Sequence, residues 1–221
     1  MKFKAAIFDM DGTLVDSLIC WDILWSKLGK TFLSDADFHP APEDDRAVRT
    51  LTLADAMERV HKKYNMGKSG EELLDFANQM LEDFYKTDVK PKAGVIEFLE
   101  TLKAENVKMC VATATAPDLV KIALEYTGVG KYFTKVFSCG EIGKGKEEPD
   151  VFLLAGEFLG EKPCDTWVFE DSLVAIKTAT KIGMNTVGIY DKYNFGQDEI
   201  KQTATHYIAD GETLLKLTDR A

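Results

Sequence analysis

The chain has 221 residues, a hydrophobic fraction of 45%, a charged fraction of 29% and a formal net charge of -10. This length is enough to bury a sizeable core, either in one domain or in a core domain with a small second one. The acidic balance disfavours binding to nucleic acid or to anionic membranes, because no Lys/Arg run is longer than the pair Lys62–Lys63.

The first predicted element is a buried strand. Phe3–Asp9 is a compact apolar run that ends on an acidic residue, and Gly12 and Thr13 then mark a turn. From Ser17 to about Lys86, apolar residues recur at helical spacing and no strand is convincing. This stretch therefore predicts a small all-helical unit, with a loop at Asp35–Asp45.

Helices and strands alternate in the rest of the chain. Such alternation is typical of a parallel sheet with helices on both faces. We predict helices at Gly94–Glu105, from Pro117, after Pro149, from Ser172 to Gly183, in a short segment after the fifth strand and after Gly211, with strands at Lys108–Thr113, Lys135–Ser138, Trp167–Glu170, Thr186–Tyr190 and near Tyr207–Ala209.

The predicted fold class is α/β, with a doubly wound, Rossmann-like parallel sheet and a small inserted all-helical cap. We expect a core of residues 1–16 and 88–221, with the cap at residues 17–87 directly after the first strand. Ligands of doubly wound sheets bind at the carboxyl ends of the strands. The cap is therefore expected to act as a lid over that edge.

Polar residues fall at or near the carboxyl ends of the predicted strands, where the fold would bring them together. Several carboxylates around one point cannot all be ionised without a cation, and oxygen ligands favour Mg²⁺. One carboxylate can attack phosphorus, a second can transfer a proton, and a lysine and a hydroxyl can hold the phosphoryl oxygens. The residues are Asp9, Asp11, Thr113, Lys146, Glu170 and Asp171.

Four segments resemble the four motifs of the haloacid dehalogenase-like superfamily. Asp9–Ser17 resembles the first motif, Val111–Ala114 the second, Gly145–Asp150 the third and Glu170–Ser172 the fourth. The resemblance covers essentially the whole core in the family's order and spacing, and the insert lies where the family has a helical cap. The chain is most similar to the branch of beta-phosphoglucomutase and phosphoglycolate phosphatase-like proteins.

The resemblance implies a role for each matched residue. Asp9 would be the nucleophile that forms an aspartyl-phosphate, and Asp11 would be the general acid/base, with its backbone carbonyl on the metal. Phosphoryl binding would fall to Thr113, Ala114 and Lys146. The implied ligands of Mg²⁺ are Asp9, Asp11, Asp171 and Glu170, the last either directly or through water.

Departures from the family pattern leave the catalytic groups in place. Glu147 stands where members often have Pro, and Ala175 stands where they often have Gly. Lys144 competes with Lys146 for the third-motif role, and the spacing to the following Pro-Asp pair favours Lys146. Asp11 favours phosphate esters over dehalogenation, which does not need an acid/base there.

Two pairs of residues in the helical insert have open interpretations. Trp21 and Trp25 lie one helical turn apart, a pattern more typical of packing than of substrate contact. Arg46 and Arg49 are placed to bind a second anionic group of a substrate or to form a solvated helix face.

The leading hypothesis is a Mg²⁺-dependent phosphatase of a small phosphorylated metabolite, such as a sugar phosphate. One alternative is a phosphomutase of the beta-phosphoglucomutase type, and another is a catalytically silent binding protein on the same fold. We expect a cytoplasmic protein with no nucleic-acid, membrane or protein partner. The four cysteines form no Cys-x-x-Cys pair, so we expect no zinc or disulfide framework.

Overall fold

The computed structural model describes residues 2–49 and 51–218, which divide into two compact units. Residues up to Leu18 and from Val89 onward form the first unit, and Ile19–Asp88 forms the second. Within the described ranges, no helix combines the length and the apolar character needed to cross a membrane.

The first unit is built on a parallel sheet. In the described part of the chain its strands are β1 (Ala5–Phe8), β2 (Lys108–Thr113), β3 (Val136–Ser138), β4 (Thr166–Glu170), β5 (Asn185–Ile189) and β6 (His206–Ile208). They pair in the order β3-β2-β1-β4-β5-β6, and every pairing is parallel. The predicted α/β, doubly wound parallel fold is confirmed. In this order the direction of winding reverses between β1 and β4, which is where such sheets bind ligands.

In the part that the structure describes, the second unit consists of helices and the loops that join them. Its helices are α1 (Cys20–Leu28), α2 (Pro42–Val48), α3 (Leu53–Tyr64) and α4 (Gly70–Thr87), and a π-helical turn at Gly29–Leu33 follows α1. Thr52 and Ser69 cap α3 and α4 by accepting backbone N–H hydrogen bonds, as N-cap residues do. The interpretation of residues 17–87 as a cap stays a prediction.

A buried carboxylate ties α2 to α3. The side chain of Asp44 is only 2% exposed. It accepts a hydrogen bond of 2.7 Å from Tyr64 and forms ion pairs with Lys63 at 2.5 Å and with Arg59 at 3.2 Å. A buried charge needs such partners, so these contacts hold the two helices together.

Helices cover both faces of the sheet. The α-helices described in the first unit are α5 (Val95–Ala104), α6 (Pro117–Thr127), α7 (Cys139–Ile142), α8 (Asp150–Leu159), α9 (Leu173–Lys181) and α10 (Gln197–Thr203). Ile7 faces a core shared with α8 and α9. The next residue, Phe8, points to the other face, where it stacks on Phe169 at 4.4 Å and meets Phe98 of α5.

The C-terminal helix predicted after Gly211 is wrong in type. The described residues there form a single 3₁₀ turn, Leu214–Leu217. Leu214 and Leu217 are both buried, and residues three apart align on one side of a 3₁₀ helix. The prediction beyond residue 218 lies outside the described residues.

Candidate active site

Three carboxylates meet at the carboxyl ends of β1 and β4, where the winding of the sheet reverses. Asp9 follows β1 directly, Glu170 ends β4 and Asp171 is the next residue. One oxygen of each lies within 4.8 Å of the others, and each residue is less than a tenth exposed. Buried carboxylates this close repel one another unless a cation or a proton joins them. The set of hard oxygen donors therefore suits a divalent cation.

Lys146, in the loop before α8, joins two of these carboxylates. Its Nζ donates to Oδ1 of Asp9 at 2.5 Å and to Oε1 of Glu170 at 2.6 Å. Burial opposes the charged ammonium, yet Asp9 and Glu170 together raise the pKa of Lys146. Lys144 instead pairs with Asp150 at 2.7 Å, with half of its side chain exposed. Of the two candidate lysines, the structure brings Lys146 to the carboxylates.

The start of α9 orients Glu170. Its Oε2 accepts the backbone N–H groups of Asp171 at 2.9 Å and of Ser172, the N-cap residue of α9, at 3.3 Å. The amino-terminal end of a helix carries partial positive charge, which favours anions nearby. Both oxygens of Glu170 are therefore held, one by Lys146 and one by backbone.

Burial sets the protonation of the cluster. Burial, reinforced by Glu170 and opposed by Lys146, raises the pKa of Asp9 from 3.8 to about 8. Burial also raises the pKa of Asp171, with Glu170 and Asp9 acting in the same direction. Burial therefore opposes full ionisation of the cluster, whereas the charge of Lys146 favours it at Asp9.

Position 12 has no room for a side chain, because the carboxylate of Asp171 occupies the space that a Cβ would need. The φ of Gly12 is +76°, a conformation that favours glycine, and a Cβ there would lie 2.2 Å from Oδ2 of Asp171. The next residue, Thr13, donates its hydroxyl to Oδ1 of Asp171 at 3.1 Å. The turn after β1 therefore closes directly onto Asp171.

Asp11 lies apart from the carboxylate cluster of the described residues, with its side chain half-buried. Its Oδ1 accepts from the hydroxyl of Ser17 and its Oδ2 from that of Thr115, both at 2.6 Å. Thr115 also donates its backbone N–H to Oγ1 of the buried Thr113 at 3.1 Å, whereas Ala114 is exposed. Two hydroxyls thus fix the orientation of the Asp11 carboxylate.

Sequence reasoning did not single out four of the side chains that hold these carboxylates. Three of them lie inside or just beyond the matched motifs, namely Thr13, Ser17 and Thr115. Their position in the sequence could therefore have identified them. Asn194 lies in the loop after β5 and donates to Asp171. The signal for Asn194 was weaker, a polar residue a few positions beyond the end of a strand.

Three of the remaining candidates contact one another within the helical unit, namely Trp21, Trp25 and Arg49. Trp25 is fully buried, and its Nε1 donates to Asp45 at 2.8 Å. Arg49 pairs with Asp45 at 3.0 Å and lies over the ring of Trp21 at 5.5 Å. Arg46 is exposed. Arg49 is therefore already engaged by a carboxylate and an aromatic ring.

Comparison with known proteins identifies relatives of this chain. The family model described as "Haloacid dehalogenase-like hydrolase" matches residues 6–189. The "Phosphorylated carbohydrates phosphatase" of Thermotoga maritima is 26% identical, covering 96% of each chain. The "Validoxylamine A 7'-phosphate phosphatase" of Streptomyces hygroscopicus is 28% identical, covering 97% of this chain and 93% of that protein. The crystal structure of beta-phosphoglucomutase from Clostridium difficile superposes with a TM-score of 0.69 at 17% identity, covering 98% and 96% of the two chains.

Proposed function

The chain belongs to the haloacid dehalogenase-like hydrolase family, and we propose that it is a Mg²⁺-dependent phosphatase of a small phosphorylated metabolite. The resemblance drawn from the four motifs and the prediction of a hydrolase are confirmed. The main support for the proposal is the contact of Lys146 with Asp9 and Glu170. This contact lies beside Asp171, where the winding of the sheet reverses between β1 and β4. The names of the phosphatase relatives support a phosphate monoester as the substrate.

Asp9 is the proposed nucleophile. It lies at the end of β1 with 7% exposure, so its carboxylate is largely shielded from water. Attack by one oxygen on phosphorus forms an aspartyl-phosphate and releases the alcohol of the substrate. Water then attacks this phosphorus, which frees phosphate and restores the Asp9 carboxylate. Two easier displacements thus replace one difficult hydrolysis.

Asp11 is the proposed general acid and base. It gives a proton to the departing alkoxide in the first step and takes one from the attacking water in the second. The hydroxyls of Ser17 and Thr115 point the carboxylate in one direction, and a fixed direction favours proton transfer at a defined atom.

Lys146, Thr113 and Ala114 are the proposed phosphoryl-binding residues. Two of the three N–H donors of Lys146 are used by Asp9 and Glu170, and the third can meet a phosphoryl oxygen. A cation fixed beside the nucleophile stabilises the charge that spreads over the phosphoryl oxygens in the transition state.

Mg²⁺ would be held by Asp9, Asp171 and the backbone carbonyl of Asp11. Glu170 would bind the ion directly or through water. The fit rests on the three carboxylates of Asp9, Glu170 and Asp171, whose hard, buried oxygens lie within 4.8 Å of one another. When bound, the ion supplies positive charge that offsets the repulsion among the carboxylates and keeps Asp9 ionised at neutral pH.

The test is phosphate release from a panel of phosphorylated metabolites, with Mg²⁺ or with EDTA. We expect turnover of at least one sugar phosphate with Mg²⁺, and loss of turnover in EDTA and in the Asp9→Asn variant. Activity that survives Asp9→Asn would contradict the mechanism.

Product analysis with hexose 1-phosphate addresses the alternatives. Release of inorganic phosphate supports the phosphatase, whereas conversion to the isomeric hexose phosphate would make the protein a mutase with the same catalytic residues. A protein that turns over no substrate and gains no stability from Mg²⁺ would match the silent alternative.

A further inference from the structure

The loop after β5 contacts the proposed metal site through one side chain. Asn194 donates its amide Nδ2 to Oδ2 of Asp171 at 2.8 Å and to the backbone carbonyl of the same residue at 2.9 Å. The two residues are 23 positions apart, so this contact exists only in the folded protein.

The orientation of the Asn194 amide follows from its surroundings. Its Oδ1 accepts the backbone N–H of Phe195 at 3.1 Å, while its Nδ2 faces the two oxygens of Asp171. A flipped amide would set its oxygen against both oxygens of Asp171 and its NH₂ group against the N–H of Phe195. One orientation therefore satisfies every group.

Other contacts fix the loop that carries Asn194. The carboxylate of Asp191, only 4% exposed, pairs with Lys92 at 2.8 Å. Gln197 donates its Nε2 to the backbone carbonyls of Asp191 at 3.1 Å and of Asn194 at 3.3 Å. Tyr207 of β6 donates its hydroxyl to Gln197 at 2.9 Å. The amide of Asn194 is thus held in place before any ligand binds.

We propose that Asn194 is a positioning residue that holds the Asp171 carboxylate in the orientation that binds the divalent cation. Thr13 donates to Oδ1 of Asp171 and Asn194 to Oδ2, so a donor restrains each carboxylate oxygen. A carboxylate has about four lone-pair sites, and the two that remain can face the cation. The inference rests on the metal site of the proposed function.

The expected effect follows from the way such neighbours act on metal ligands. Hydrogen-bond partners of ligating groups fix ligand geometry, and their loss typically weakens metal binding about 10- to 100-fold. Without Asn194, one side of Asp171 loses its restraint, so the carboxylate must be ordered when the ion binds. Metal affinity falls, while the substrate KM at saturating Mg²⁺ stays the same.

The test is Mg²⁺ binding to the full chain by titration calorimetry, for wild type and Asn194→Ala. Asn185→Ala is a matched control, because Asn185 at the start of β5 also donates its amide to a backbone carbonyl, that of Cys164, at 2.8 Å. We expect Asn194→Ala to weaken Mg²⁺ binding about 10- to 100-fold and Asn185→Ala to leave it within about twofold. Excess Mg²⁺ should restore the turnover of Asn194→Ala.

The possible results separate this inference from the proposed function. If wild type binds Mg²⁺ and Asn194→Ala binds it equally well, the positioning role is wrong and the metal site stands. If wild type binds no Mg²⁺, both are wrong. Should Asn194→Ala fail to fold, Asn194→Ser replaces it, since a hydroxyl can still accept from Phe195 but is too short to reach Asp171. The same loss of affinity is expected there, and unchanged affinity would overturn the inference.

Discussion

The Nζ of Lys146 lies 2.5 Å from Oδ1 of Asp9, although the two residues are 137 positions apart in the chain. The parallel sheet makes this contact by bringing the loop before α8 to the end of β1. The ammonium is the cationic side chain that stabilises the buried carboxylates of Asp9 and Glu170.

Replacing Lys146 with methionine should lower kcat about 10²- to 10³-fold, the usual loss for one charge-stabilising donor in an active site. It also leaves two buried carboxylates without their partner, so the metal-free protein should lose about 3–5 kcal/mol of stability. Lys144→Met is the matched control, because Lys144 is half exposed and pairs only with Asp150 among the ion pairs described. For both variants, steady-state kinetics measures kcat and urea unfolding measures stability. Equal effects of the two substitutions would contradict the assignment.

Asp11→Asn should slow turnover about 10²- to 10⁴-fold, since general acid–base catalysis contributes that much. The loss should be smaller in the first step with p-nitrophenyl phosphate, whose leaving group needs no proton. Water attack still needs the base, so nitrophenol should appear as a rapid burst followed by a slow phase. Stopped-flow absorbance measures the burst. If Asp11→Asn slows the first step with p-nitrophenyl phosphate as much as it slows turnover of an alkyl phosphate, Asp11 is not the general acid.

Gly12→Ala should weaken Mg²⁺ binding, an effect that backbone strain at a positive φ does not cause by itself. Gly128→Ala is the control, because Gly128 has a φ of +70° with nothing within 4 Å of a new Cβ, so it incurs only the left-handed penalty of roughly 1–2 kcal/mol. At Gly12 the Cβ would meet Oδ2 of Asp171 at 2.2 Å and displace that carboxylate.

Calorimetry should therefore show weaker Mg²⁺ binding for Gly12→Ala and unchanged binding for Gly128→Ala. Loss of stability without loss of Mg²⁺ affinity at Gly12 would mean that Asp171 does not ligate the ion.

Asp44 should make the helical unit sensitive to acid. Hydrogen bonds from Lys63 and Tyr64 outweigh burial and lower the pKa of Asp44 from 3.8 to about 2. A carboxylate whose pKa is lower in the folded state stabilises the fold above its unfolded pKa, and this contribution is lost as pH falls through the folded pKa. Asp44→Asn should therefore unfold at lower urea than wild type at pH 7, and the difference should shrink as pH falls from about 4 towards 2.

Tryptophan fluorescence in a Trp167→Phe background follows this unfolding, because Trp21 and Trp25 lie in the helical unit whereas Trp167 lies in β4. A difference between wild type and Asp44→Asn that stays constant from pH 7 to pH 3 would mean that the carboxylate charge contributes nothing.

Local patterns were enough to predict the sheet and the residues at its edge. Alternating strands and helices determine a parallel order, and parallel order places Asp9, Thr113 and Glu170 at one edge. The π-helical turn and the replacement of the last helix by a 3₁₀ turn were not predictable, because packing of individual side chains decides them. Leu214 and Leu217 illustrate this, since a helix or a 3₁₀ turn can bury both.

Side chains that act through tertiary contacts were beyond local patterns. Asp44 lies in the acidic run Glu43–Asp45 and looks like a solvated residue, yet it is buried by partners 15 to 20 positions away. Asn194 belongs to no motif, and its role depends on a loop that only the folded sheet brings to Asp171. Such residues are predictable only when both partners of a contact are known.

The most direct test of the central claim is to find where the phosphoryl group is held during turnover. A reaction with substrate and Mg²⁺ is quenched within one turnover and treated with borohydride, which reduces an aspartyl-phosphate to homoserine. Peptide mapping by mass spectrometry then locates the altered residue. We predict homoserine at position 9, dependent on substrate and Mg²⁺. An unaltered Asp9 beside a modified residue elsewhere, or full turnover with no modified residue, would contradict the account.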